Sequence, residues 1–192
     1  VVGVEYDDLE PLIGLDAALS GPPIHEGAPG NLAIEVQAGD SAGTEARLAA
    51  SAHVVSLTVD LPRLAPAPME PRSALARYDA QAGRYILHAP HQGAPEPRRD
   101  LAAVLQEPED RIDVLADHVG GAFGARGPAY PEQALLLRLA KTLGRPVSWR
   151  GSRLEAFATD HPGRGTRLTG RLGLDEKGLF TAVDLVYEAD LG

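Results

Sequence analysis

Ile112-Asp-Val-Leu-Ala-Asp117-His-Val-Gly-Gly-Ala-Phe-Gly-Ala-Arg-Gly127 is the stretch on which the reading of this chain turns. Ile112–Ala116 has the apolar, β-branched character of a short buried strand. Residues 132–143 downstream read as a helix with Leu135, Leu136, Leu139 and Leu143 on one side. Between them Gly120, Gly121, Ala122 and Gly124 surround one large apolar residue, Phe123. A loop without side-chain bulk lets backbone N–H groups approach a ligand closely. The plain alternative is a strand-to-helix turn whose glycines serve geometry alone. The loop is not a Walker A sequence, because Ala125 and Arg126 stand where Lys and Ser/Thr are needed. Nor do Gly120, Gly121 and Gly124 give the G-x-G-x-x-G spacing of a dinucleotide site.

Working outward, residues 1–6 read as a strand and residues 15–31, rich in Gly, Pro and Ala, as a linker. Residues 32–36 read as a strand and 39–50 as a capped helix. Val54–Asp60 alternates and is expected as a strand. Ser73–Tyr78 and Gly83–Ala89 are expected as a hairpin across Asp79-Ala-Gln-Ala. Residues 97–105 form a helical pattern with Leu101, Val104 and Leu105 inward. Residues 144–147 end the downstream helix and open an extended segment, and 152–157 hold a helical turn or two. Thr166–Leu174 and Leu179–Tyr187 pair across Asp175-Glu-Lys-Gly178. The expected class is α+β: mixed sheets built from hairpins, with two main packed helices.

The chain has 192 residues, 44% hydrophobic and 23% charged, enough for one domain and part of another. A net charge of −9 argues against a nucleic-acid or anionic-membrane partner, since both attract basic surfaces. With no cysteine, disulfides, thiolate-held metals and a Cys nucleophile are excluded from these residues. No apolar run reaches the length of a membrane span. The chain opens on Val1 in mid-protein character, without an initiator Met, and is expected to be a piece of a longer polypeptide.

Conventional site chemistries find little support. His88 and His91 lie three apart in extended chain, on opposite faces. Asp117 and His118 are adjacent, which rarely makes a pair, and His161 lies in a Pro/Gly loop. A metal held directly by protein side chains is not expected. Gly39-Asp-Ser-Ala-Gly43 has the G-x-S-x-G spacing, but it reads as the capped start of the 39–50 helix. Glu107, Asp110 and Asp113 read as a solvated turn and strand edge. Two segments stand out instead. Pro68-Met-Glu-Pro-Arg72 is a Pro-clamped stretch carrying one acid and one base, and Ala89-Pro-His-Gln-Gly-Ala94 places Gln92 between a strand and a helix, where loops carry function.

Taken in order, these segments form a set: residues 66–79, Gln92 ahead of Arg99–Ala102, Asp117–Gly124, Tyr130-Pro-Glu132, Leu143–Trp149 and Arg153-Leu-Glu155. The succession resembles the molybdenum-binding large subunits of the xanthine dehydrogenase/aldehyde oxidase/carbon monoxide dehydrogenase family. The resemblance implies a first molybdopterin-binding domain over residues 32–192. Residues 1–14 would be the tail of a preceding hammerhead-like domain and 15–31 the linker. It implies an oxidoreductase that hydroxylates an aldehyde or heterocycle with oxygen from water. The cofactor would be molybdopterin carrying molybdenum, in the cytosine dinucleotide form. Iron–sulfur clusters and FAD would sit in partner subunits or domains, in a complex read as cytoplasmic, with a periplasmic location the alternative. Gln92, Gly120, Gly121, Ala122, Phe123 and Gly124 match the cofactor-binding positions, with Gln92 and Phe123 near the metal and none ligating it. The protein's part is then positioning and hydrogen bonding.

The chain departs from the family pattern at four places. Ala122 replaces a loop glycine, which requires a negative φ there. His91 stands where Ser or Thr precedes the glutamine. Gly127 stands where purine hydroxylases carry a substrate-facing acid, which argues against purines. Glu96-Pro97 replaces a His-centred segment. The resemblance places the general-base glutamate and the second molybdopterin domain beyond residue 192, so these residues alone are expected to be inactive. The alternative reading is a non-catalytic binding or assembly module that keeps the fold.

Overall fold

A computed structural model describes residues 3–191. The chain divides into two compact units, one of residues 64–163 and one of residues 1–63 with 164–192.

The 64–163 unit is built on a four-stranded sheet. Its strands are β2 (Ser73–Asp79), β3 (Arg84–His88), β4 (Ile112–Leu115) and β5 (Val147–Arg150), in the order β4-β3-β2-β5. β2 and β3 pair as the expected antiparallel hairpin, with Tyr78 opposite Tyr85. Asp79 Oδ1 accepts the N–H groups of Gln81 and Ala82, and Gly83 takes φ 65°, which closes the turn. β4 runs parallel to β3, with Leu87 opposite Val114. The sheet is therefore mixed, as the sequence reading had it, but its parallel pair is joined by a crossover and not by a hairpin. The helix α3 (Pro95–Leu105) lies between β3 and β4 in the chain and makes a parallel crossover possible. The helix α4 (Pro131–Leu143) packs on the sheet, and α5 (Arg153–Thr159) follows β5.

The core holds Ala74, Ala76, Tyr85, Leu87, Leu101, Ile112, Leu136, Leu137 and Ala140, among others. On α4 the buried positions are Gln133, Leu136, Leu137 and Ala140, an i, i+3, i+4, i+7 stripe. Leu135 and Leu143 are exposed, contrary to the sequence reading. With four leucines among residues 135–139, the sequence alone admits two adjacent stripes, and the small Ala140 fits the closer approach to the sheet. On α3, Leu101 is buried as expected but Val104 is exposed, and Ala102 and Pro97 complete the inner face.

In the other unit, β1 (His53–Leu64), β6 (Gly163–Leu174) and β7 (Phe180–Ala189) form a sheet in the order β1-β6-β7. The expected β6–β7 hairpin forms, with Leu168 opposite Tyr187. The helix α2 (Ser41–Ala50), N-capped by Asp40, packs against β7; Arg171 of β6 pairs with Glu45 of α2 and Asp184 of β7. A short helix α1 (Leu15–Ser20) falls within the expected linker, and its Asp16 pairs with Arg167 of β6 at 2.7 Å. Residues 3–6 and 32–36 are not strands. Val1 and Val2 of the first of these lie outside the described residues. A short apolar run becomes a strand only beside an edge that takes its hydrogen bonds, and among the described residues neither run is paired.

Among the described residues no helix is long and apolar enough to cross a membrane.

Candidate functional site

The glycine loop runs from the end of β4 to the start of α4. Three of its residues take left-handed φ: Gly121 at 106°, Phe123 at 51° and Gly124 at 92°. Ala122 is not among the positive-φ residues, so the alanine sits where an L side chain costs nothing. Phe123 takes the strained conformation in its place, and the residue is 75% exposed. Backbone strain held on an exposed aromatic is a feature of binding loops. Among the described residues the N–H groups of Gly121, Ala122, Phe123 and Gly124 donate to no protein acceptor. Four successive free donors are the feature that an anion-binding nest requires. A Cβ added at Gly124 meets nothing within 4 Å, so the backbone there is open to approach.

The segment 68–72 packs beneath the loop. Gly120 N–H donates to Glu70 Oε2 at 2.7 Å, and Glu70 N–H donates to Gly120 O at 3.1 Å. A Cβ at Gly120 would lie 2.6 Å from Glu70 Cβ, and one at Gly121 would lie 3.2 Å from Pro68 Cβ. The sequence thus spends glycine at these two positions on close approach to the Pro-clamped strap.

Gln92 sits just past β3, and its contacts run to Arg126, two residues beyond Gly124. Gln92 N–H donates to Arg126 O at 2.9 Å, and Arg126 N–H donates to Gln92 Oε1 at 3.3 Å. With Oε1 engaged, the side-chain NH2 remains a donor with no partner among the described residues. His91 is 4% exposed. Its Nδ1 lies 3.1 Å from Arg126 O and its Nε2 lies 3.1 Å from Gln133 Nε2. A carbonyl accepts only, and an amide nitrogen donates only, so Nδ1 carries the proton and Nε2 accepts. The ring is thereby neutral. Burial lowers its pKa below the usual histidine value, against the opposing effect of its bonds to Arg126 O and Gln133. Gln133 Oε1 in turn accepts Tyr130 N–H at the start of α4. His91 therefore ties the Gln92 segment to α4, a buried role that Ser or Thr would be too short to span.

A buried charge cluster supports the strap and loop. Arg126 is 2% exposed; its Nη1 pairs with Asp160 Oδ2 at 3.2 Å and its Nη2 donates to Glu70 O at 3.1 Å. Arg72 stacks on the Tyr130 ring at 3.7 Å and hydrogen-bonds Thr159 through Nη1 and Nη2. Its Nε lies 3.1 Å from Glu132 Oε1 and 3.3 Å from Asp160 Oδ1. Neither contact is aligned as a hydrogen bond, so both act as ion pairs. Tyr130 OH donates to Ala125 O at 2.8 Å. The carboxylate of Glu96 lies by Gly127: a Cβ there would be 3.3 Å from Glu96 Oε2.

The other candidates lie elsewhere. Asp113 pairs with Arg84, and Glu107 accepts from Tyr85 and Lys141. Lys141 and Arg84 respectively hold the Glu107 and Asp113 carboxyls below the usual range. Such carboxylates stay ionised and do not serve as general acids. Among the described residues no group of three or more His, Asp or Glu side chains is placed to hold a metal ion.

Known proteins resemble this chain in sequence and fold. The molybdopterin cofactor-binding domain family matches residues 24–192. The chain belongs to that family. It is 29% identical to the carbon monoxide dehydrogenase large chain of Hydrogenophaga pseudoflava over 100% of this chain and 26% of that one. It is 29% identical to the nicotine 6-hydroxylase large subunit of Paenarthrobacter nicotinovorans over 95% of this chain and 22% of that one. Among solved structures, quinoline 2-oxidoreductase from Pseudomonas putida 86 superimposes with a TM-score of 0.77 at 30% identity, covering 97% of this chain and 24% of that one. Aldehyde oxidoreductase from Desulfovibrio gigas shares the fold at a TM-score of 0.79 and 19% identity, over 94% of this chain and 20% of that one. The chain spans about a quarter of the length of the curated relatives it matches.

The residues of this molybdopterin cofactor-binding domain fit a group bearing anionic and oxo oxygens. The free N–H run and the Gln92 side-chain NH2 are donors, and residues 120–127 include no acid. Sequence reasoning singled out the loop, the strap and Gln92 but missed Asp160 and the part played by Arg126. One signal was available: a lone guanidinium inside a glycine-rich loop has to meet a ligand or a buried carboxylate.

Proposed function

We propose that this chain is the first molybdopterin-binding domain of a molybdenum hydroxylase large subunit. Residues 32–192 would be the domain, 15–31 the linker and 1–14 the tail of a preceding domain. The observation that carries the proposal is the run of four unpartnered N–H groups at residues 121–124, together with the unpartnered side-chain NH2 of Gln92. The bound cofactor supplies the redox chemistry that hydroxylates an aldehyde or heterocycle with oxygen from water. The protein's residues do the positioning. Gly120, Gly121, Ala122, Phe123 and Gly124 present the loop backbone to the cofactor's oxygens, where fixed donors stabilise negative charge without reorganisation. Gln92 presents its NH2 group, oriented by the Arg126 N–H bond to its carbonyl. Phe123 offers an exposed apolar face beside these donors and excludes water there. We assign the cofactor as the cytosine dinucleotide form, with iron–sulfur clusters and FAD in partner subunits and the general-base glutamate outside these residues.

The rival reading, a non-catalytic module, draws on His91 and Ala122. Both are accommodated without loss: His91 is hydrogen-bonded at both nitrogens, and Ala122 avoids the left-handed positions.

The test is elemental analysis of the full-length protein purified with its partners from cells given molybdate. Stoichiometric molybdenum is expected, and an intact complex without the metal supports the module instead. Gln92→Ala in that complex is expected to lower turnover by about tenfold to a hundredfold, the range for one oriented polar contact to a charged group. Normal turnover at normal molybdenum content would remove Gln92 from the site.

A further inference from the structure

We infer that Arg126 is a positioning residue that fixes Gln92 and the glycine loop relative to each other, with Asp160 as its buried counter-charge. Four observations converge on this one side chain and its peptide groups. The backbone of Arg126 makes both hydrogen bonds to Gln92, at 2.9 and 3.3 Å. Its carbonyl also meets His91 Nδ1 at 3.1 Å, so the peptide after Arg126 is held from two sides. Its guanidinium donates to Glu70 O at 3.1 Å, and Glu70 exchanges two hydrogen bonds with Gly120. The route from Gln92 to Gly120 thus runs through Arg126 and then Glu70. Asp160, 4% exposed at its side chain, balances the charge at 3.2 Å while its other oxygen faces Arg72.

Burying a guanidinium is a poor way to add stability, because desolvation offsets the attraction and an apolar side chain serves as well. Nor is Arg126 fully satisfied: its Nε has no hydrogen bond among the described residues. What the planar fork provides is direction, two donors at a fixed angle that set strap and counter-ion together. Lysine keeps the charge but offers no such fork.

The geometric part of this inference stands on the contacts alone, and its functional part rests on the cofactor reading above. The test compares the full-length complex with its Arg126→Lys variant by amide hydrogen exchange. Exchange at Gln92 and at Gly120 is expected to rise together by about tenfold, the loss of a charge-assisted bond, while β2 and β3 keep their protection. Loosening of one segment alone, or of neither, overturns the inference. Should the lysine variant fail to assemble, Asp160→Asn keeps the shape and is read the same way, with a rise of about threefold at both segments. In the loaded enzyme, Arg126→Lys is expected to lower kcat at unchanged KM and to alter the electron paramagnetic resonance spectrum of the reduced metal. Combined with Gln92→Ala, it should add little further loss, because the two act on one element. Additive losses with an unaltered spectrum reduce Arg126 to a structural residue. A wild-type complex without molybdenum defeats the cofactor reading and leaves the exchange comparison to decide the positioning.

Discussion

Gly120→Ala probes the junction of loop and strap. The added Cβ would lie 2.6 Å from Glu70 Cβ, while carbon atoms pack best at about 3.5–4.0 Å. Glu70 Cβ is fixed to its backbone, so no side-chain rotation relieves the contact. The loop and strap must separate by about 1 Å. Both bonds of the junction then lengthen out of range: Gly120 N–H to Glu70 Oε2, now 2.7 Å, and Glu70 N–H to Gly120 O, now 3.1 Å. A charge-assisted bond contributes about 1.5–3 kcal/mol and a neutral one about 1 kcal/mol. Reduced freedom of the unfolded chain returns about 0.4–1 kcal/mol. The expected net loss is about 2–3 kcal/mol, read as a shift in urea midpoint at unchanged m-value. Gly124→Ala is the control. Its Cβ meets nothing within 4 Å, and only the φ of 92° is strained, at about 1–2 kcal/mol. In a Glu70→Gly background the struck atom is gone, and the Gly120→Ala loss should fall below about 1 kcal/mol. A loss within about 0.5 kcal/mol of zero, or one that persists undiminished in the Glu70→Gly background, refutes the account.

Two further outcomes are expected. Leu137→Ala, at a fully buried position of α4, should lose about 2–5 kcal/mol. Leu135→Ala on its exposed side should lose less than about 1 kcal/mol, and equal losses would mean that α4 presents a different face to the sheet. His91 gives a pH dependence. Its folded pKa lies below the unfolded value of 6.5, chiefly through burial, with the Arg126 charge lowering it and Glu96 raising it. The unfolded chain therefore takes up a proton first as pH falls. The stability from this group is fully present above pH 6.5 and is lost progressively as pH drops from there toward the folded pKa. His91→Gln should flatten that part of the profile in urea titrations between neutral and mildly acidic pH, and an unchanged slope would exclude His91 as its source.

Much of the candidate site was legible because its residues are neighbours in sequence. Gly120, Gly121 and Gly124 declare a backbone that bends and approaches closely, Phe123 among them has no helix or strand to bury it, and Pro68 and Pro71 declare a stiff strap. The β2–β3 and β6–β7 hairpins were readable for the same reason, since Asp79 and Asp175 close their turns through local hydrogen bonds. The parallel pairing of β4 with β3 was not, because a crossover through α3 leaves no turn signature. Residues 32–36 have the alternation of a strand, yet strand formation depends on an unpaired edge that their own composition does not describe.

Local chemistry, then, was determined by the sequence: where the backbone turns left-handed, where helices begin, and which loop offers its N–H groups. Ala122 shows the limit of that information. The sequence demanded a negative φ there, and only the folded loop moved the strained conformation onto Phe123. The tertiary structure alone decided which charge answers which. Arg126 and Asp160 stand 34 positions apart, and Arg72 and Thr159 stand 87 apart. A buried guanidinium needs a counter-charge, but the sequence offers 27 acids and no means of choosing. The choice is made by packing, when α4 and α5 bring Tyr130, Asp160 and the strap around one desolvated pair of arginines.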